Sequence, residues 1–134
     1  MAFELPLRVY IEDTDFGGVV YYVNYLKFME RARTEMLRHC GFSQHELRRD
    51  GYLFVVHSAE CQYLKPARLD DELIVLSAIE QAGAASVTFS QQIVRAQDRQ
   101  LLSQGRVRVA CVHSEDLKPC RWPRALLAAL KQQG

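Results

Sequence analysis

The chain has 134 residues, 49% of them hydrophobic, enough for one domain with a real core and too few for two ordinary ones, so a single domain over 1–134 is expected. Seventeen basic residues against sixteen acidic ones leave a net charge of +1, which gives no electrostatic case for nucleic acid as a partner. No stretch approaches the roughly 18 consecutive apolar residues of a membrane span, and Met1 to Arg8 lacks the basic-then-apolar form of a secretory leader, so a cytoplasmic location is expected.

Leu5, Leu7, Val9 and Ile11 recur at the two-residue period of a half-buried strand, which stops at Asp13. Beyond the next turn the period changes. Tyr22, Tyr25 or Leu26, Met29, Ala32, Met36 or Leu37, and Cys40 recur at three- and four-residue spacing, predicting a helix over about 22–40 buried along one side. The join is Asp13-Thr14-Asp15-Phe16-Gly17-Gly18-Val19-Val20-Tyr21. Gly17 and Gly18 have no side chains to keep a ligand off the main chain. The first N–H groups of a helix lack intrahelical partners, so amides near Tyr22 and Val23 favour an oxygen bearing negative charge. A carboxylate and an oxyanion site can thus share one loop. The same residues admit a plainer reading, in which Asp13 and Asp15 cap a turn that the glycines permit.

Gly41 suits a helix C-terminus, and Ser43-Gln44-His45-Glu46 has the capping-box form that opens a short helix to about Asp50. His39 and His45 are read as helix-end cations rather than chemistry. From Leu53 strands take over. Leu53, Val55, His57, Ala59, Cys61 and Tyr63 alternate with Phe54, Val56, Ser58, Glu60, Gln62 and Leu64. Lys65-Pro66-Ala67-Arg68-Leu69-Asp70-Asp71 breaks the run. Strands over 73–81, 86–96 and 101–113 follow, their short connections predicting an antiparallel meander. After Pro119 and Pro123, residues 124–132 read as a terminal helix.

One long helix against one antiparallel sheet is a two-layer α+β solution in which both apolar faces are covered, with the sheet curling around the helix. Phe54, Val56 and Leu64 put apolar residues on both sheet faces, which points to an oligomer. Cys40, Cys61, Cys111 and Cys120 form no Cys-x-x-Cys pair and read as reduced, packed thiols. The histidines have no ligand spacing, so no metal is expected.

Asp13-Thr14-Asp15-Phe16-Gly17-Gly18-Val19-Val20-Tyr21-Tyr22, then Asn24-Tyr25 and Glu30-Arg31-Ala32-Arg33-Thr34-Glu35, resembles the opening of hotdog-fold acyl-CoA thioesterases of the hydroxybenzoyl-CoA thioesterase family. Within that family the likeness is to the group associated with the bacterial Tol-Pal cell-envelope system, and it runs on through Pro66 to Asp71 and the strand ending Cys111-Val112. The resemblance implies a hotdog fold and hydrolysis of short- to medium-chain acyl-CoA without a cofactor, coenzyme A entering as part of the substrate. It also implies a dimer or tetramer with sites between subunits, acyl carrier protein or lipid-synthesis enzymes as possible partners, and a place in the cytoplasm or at the inner membrane.

The resemblance places the catalytic carboxylate on Asp15 and the carbonyl-polarising amide on Tyr22. Relatives often have His where Tyr22 stands, which concerns its side chain and not its amide. Asp15 either attacks the thioester carbonyl to give a mixed anhydride or deprotonates a water. Asp13 orients or caps the loop. Phe16, Val19, Tyr21, Tyr22 and Tyr25 offer an apolar wall for the acyl group, or are ordinary core. Lys65, Arg68, Arg106 and Arg108 are the candidate cations for the phosphates of coenzyme A, with solvated surface as the plain alternative. Glu30 is expected to pair with Arg33. The competing readings are a hotdog dehydratase, disfavoured because no histidine lies between Met1 and Arg38, and a non-catalytic acyl-thioester-binding or scaffold protein of envelope lipid synthesis.

Overall fold

The structure is a computed structural model and describes residues 2–133. The first strand, β1 (Phe3–Arg8), is shorter than the apolar alternation predicts, because residues Ile11–Asp13 turn into a 3-10 helix. The Asp13 carboxylate causes the turn by accepting the Tyr10 N–H at 2.9 Å. Ile11 is consequently 77% exposed instead of facing inward.

The long helix α1 (Val23–His39) matches its predicted span and buries Tyr25, Phe28, Met29, Ala32, Met36 and Leu37. Phe28, Met29 and Met36 lose all contact with water, worth about 1.5–3 kcal/mol each. Helix α2 (Gln44–Arg49) begins as expected, with Ser43 Oγ accepting the Glu46 N–H at 3.1 Å.

Strands β2 (Tyr52–Tyr63), β3 (Glu72–Ala82), β4 (Ser86–Arg95) and β5 (Leu101–His113) join β1 in a five-stranded antiparallel sheet ordered β1-β3-β4-β5-β2. Only β3, β4 and β5 form the expected meander. β2 lies at the far edge, paired with β5, and the chain returns through residues 64–71 to start β3 beside β1. A strict alternation along β2 is also broken. The register with β5 shifts between Val56 and Ser58, so Phe54 packs inward before the bulge and Cys61 packs inward after it, at opposite parity.

α1 lies across the sheet's inner face. Its first half packs with Val9, Val20, Leu73, Val75, Ile93 and Leu102, and its second half with Val87, Phe89, Val107, Trp122 and helix α3 (Arg124–Gln133). At Gly105 a Cβ would sit 2.7 Å from the Glu60 carbonyl oxygen on the neighbouring strand and 3.2 Å from the end of Met29 on α1. Glycine thus leaves room there for the β2 backbone and the Met29 side chain.

Candidate active site

The segment before α1 doubles back on itself. The Tyr21 N–H donates to the Asp13 carbonyl at 2.9 Å, Thr14 pairs with Val20, and the Asp15 N–H donates to the Val19 carbonyl at 3.0 Å. Gly18, at φ +74°, closes the hairpin in the left-handed region that other residues rarely enter. Asp15 therefore stands two rungs from Tyr21, about 7 Å at an ordinary strand rise. Its carboxylate accepts the Gly17 N–H at 2.9 Å and is otherwise turned outward. α1 starts directly beyond, with Tyr22 at its N-cap and no side chain capping it. Among the described residues the amides of Tyr22 and Val23 donate to no protein acceptor. An outward carboxylate and unengaged helix-terminal amides thus share one end of the molecule.

The other wall of this end comes from residues 65–71. Val19 pairs with Arg68, the Val20 N–H donates to the Ala67 carbonyl at 2.8 Å, and the Leu69 N–H donates to the Gly18 carbonyl at 3.0 Å. Tyr25 ties the two together by accepting the Ala67 N–H on its hydroxyl at 2.9 Å. Burial pushes the Tyr25 phenol above its ordinary value and so keeps it protonated. Lys65 and Arg68 are both exposed, and Arg68 lies beside the loop.

Several sequence expectations change here. Asp13 is buried, its side chain holding the Tyr10 amide and its carbonyl holding Tyr21 and the Asn24 side chain, so its part is to brace the loop. Tyr25, 4% exposed, meeting Phe28 edge-on and Tyr63 at a tilt, is core and not an open acyl wall. Arg106 and Arg108 stand apart from the site. Val107 and Val109 between and beside them face α1, so the two arginines project from the opposite sheet face. There Arg106 donates to Glu80 at 2.7 Å and Arg108 to Ser86 Oγ at 3.2 Å. Asp13, Asp15, Gly17, Gly18, Val19, Tyr21, Tyr22, Tyr25 and Arg68 do come together, whereas the Lys65 N–H donates to the Leu102 carbonyl on β5.

Two features escaped sequence reading. Tyr63, at the end of β2, meets Tyr22 edge-on at 5.8 Å between ring centroids and Tyr25 at 5.4 Å, bringing the edge strand to the start of α1. From there an open groove of about 490 Å³ runs between α1 and β2, lined by Val23, Leu26, Glu30, Arg33, Val56 and Ala59 among others. Arg33 is desolvated there, which lowers its pKa, and it donates to Gln91 at 2.9 Å instead of forming an ion pair with Glu30. Asp15 does not line this groove.

A long helix wrapped by a curved five-stranded antiparallel sheet, with a carboxylate in the loop before the helix, is the hotdog architecture of thioesterases. Residues 9–130 match the thioesterase-like superfamily, and the chain belongs to that family. It is 46% identical to the acyl-CoA thioester hydrolase YbgC of Escherichia coli O6:H1 over 130 residues, 97% of this chain and 96% of that one. It is 43% identical to the acyl-CoA thioesterase YbgC of Haemophilus influenzae, covering 96% of this chain and 93% of that one. Among solved structures, a 1,4-dihydroxy-2-naphthoyl-CoA thioesterase from Synechocystis superposes with a TM-score of 0.91 at 25% identity, covering 97% of this chain and 96% of that one.

Proposed function

We propose that this protein hydrolyses acyl-CoA thioesters, with short- to medium-chain acyl groups as its substrates, using Asp15 and the main-chain amides that open α1. The observation that carries this reading is the hairpin that sets the outward Asp15 carboxylate about 7 Å along the ladder from Tyr21, beside amides that donate to no acceptor among the described residues. Relatives over nearly the whole chain bear the name acyl-CoA thioester hydrolase, which supports the same activity.

The thioester oxygen gains negative charge as a nucleophile adds to the carbonyl. A fixed amide aimed at that oxygen is worth about 3 kcal/mol in the transition state. Asp15 then either adds to the carbonyl itself, expelling the coenzyme A thiolate to leave a mixed anhydride that water later opens, or takes a proton from the attacking water. Arg68, beside the loop, and Lys65 are the cations this reading assigns to the phosphates of the bound coenzyme. Carboxylate, amides and water suffice for the step, and coenzyme A enters as part of the substrate.

The working unit in this reading is an oligomer. β2 leaves one side of a long edge strand unpaired among the described residues, and Val55, Val56, Tyr63 and Leu64 on or beside it are exposed. A second copy joined along β2 supplies a wall for Asp15, which is exposed in the single chain. The free cysteines fit a reducing cytoplasm. Acyl carrier protein as an alternative donor, and service to envelope lipid synthesis, belong to the same reading.

Release of free thiol from a panel of acyl-CoA esters tests the activity. Asp15→Asn is expected to lower kcat by about 10²–10⁴-fold with acyl-CoA binding and melting temperature retained. A variant that turns over at the wild-type rate overturns the role of Asp15. Equal background release by both proteins favours a binding or scaffold role.

A further inference from the structure

Cys111 and Cys120 lie nine positions apart in sequence and face each other in space, with Sγ atoms 3.3 Å apart. Their placement is built into the backbone. After β5 the chain turns at residues 114–117 and returns beside the strand, pairing Val112 with Pro119, the His113 N–H donating to the Lys118 carbonyl and the Cys120 N–H to the Cys111 carbonyl, each at 2.9 Å. Cys111 and Cys120 are thus direct cross-strand neighbours. Such neighbours have Cα atoms about 5.5 Å apart, inside the range a disulfide spans. Both thiols are free, and neither belongs to the loop that carries Asp15.

We infer that Cys111 and Cys120 form a site of oxidative modification, closed to an intramolecular disulfide by a hydroperoxide. The two cysteines have unequal parts. Cys120 is partly exposed and Cys111 is fully buried, so the oxidant meets Cys120 first. The Cys120 sulfur attacks the peroxide O–O bond, becoming a sulfenic acid while the other peroxide oxygen leaves as water, or as the alcohol of an organic hydroperoxide. The Cys111 sulfur then attacks the Cys120 sulfur; the S–S bond forms, the S–O bond breaks, and hydroxyl leaves as water with the Cys111 proton. Two thiols are oxidised by two electrons and one hydroperoxide is reduced. Burial pushes the Cys111 thiol up to about 12, so the closing step speeds up as pH rises.

The product pins the returning segment to the sheet just before Trp122, whose ring packs on Phe54 and Phe89. Cys40 and Cys61 have different neighbours, Gln133 and Ser103, and do not take part.

The test is to treat the full chain with hydrogen peroxide, block remaining thiols, and map the linkage by mass spectrometry without reduction. The expected product has lost two hydrogens, links Cys111 to Cys120, keeps Cys40 and Cys61 alkylatable, and reverts with dithiothreitol. Its melting temperature rises by several degrees, and this rise is absent in Cys120→Ser treated alike. Peroxide that leaves all the thiols free, oxidises Cys120 to the sulfinic acid without linkage, or links other cysteines or separate chains overturns the inference. Cys120→Ser keeps the test decisive where Cys111→Ser fails to fold, since a two-hydrogen loss that persists in it equally rules the pair out.

Discussion

At the scale of single residues, the loop before α1 divides two acids that look alike in sequence. Asp13 turns its carboxylate inward onto the Tyr10 amide, whereas Asp15 accepts only the amide of Gly17 and stays open to a ligand. Asp13→Ala is expected to lower stability by about 1 kcal/mol, read as a reduced urea midpoint, because the bond that holds the 3-10 turn is lost. Asp15→Ala should leave that midpoint within a few tenths of a kcal/mol. Gly105 offers a sharper test of packing. Alanine there places a methyl 2.7 Å from a backbone oxygen that cannot move aside cheaply, and a loss of about 1–3 kcal/mol is expected by thermal or urea unfolding. Titration at Cys111 and Tyr25 sets a third expectation. Both groups hold their protons more tightly folded than unfolded, Cys111 at about 12 against its ordinary 9.0. The unfolded chain therefore releases protons first as pH rises, and stability falls with increasing pH from about 9 upward. Urea midpoints across this window should drop less steeply for Cys111→Val than for the wild-type protein.

At the scale of elements, the long helix and three of the strands were legible because each carries its own period. Helix α1, β3, β4 and β5 fall within a residue or two of their predicted ends. β1 and β2 were read less well, for local reasons of different kinds. In β1 a side-chain bond from Asp13 overrode the apolar alternation at Ile11. In β2 one extra residue at the bulge inverted the alternation, and no rule of period two can locate a bulge. The edge position of β2 carries a further expectation. Val55→Glu, which puts a charge on the face of that strand opposite to Phe54, should shift the protein toward monomer in sedimentation velocity and lower thioesterase activity in parallel. Unchanged association in that variant argues against joining through β2.

At the scale of the molecule, the candidate site is a meeting of segments far apart in the chain. The hairpin at 13–21, the return segment at 65–71 and Tyr63 converge because the sheet order sends β2 to the far edge and brings the chain back past the start of α1. The same order separates Arg106 and Arg108 from the loop, since neighbours in a strand alternate between faces and Val107 must face the helix. Asp15 is exposed in the single chain. A dilution series that follows specific activity is therefore expected to show loss of rate below the dissociation constant of the oligomer, with recovery on concentration.

The linear order of residues determined the buried stripe of α1, the lengths of the later strands, the left-handed turn at Gly18 and the presence of an acid just ahead of the helix, because each rests on contacts within a few positions. The tertiary structure decided which acid faces outward, which basic residues share its end of the molecule and where β2 pairs. Those outcomes depend on strand order, and pairing between strands is fixed by packing across the whole sheet, which no local pattern records.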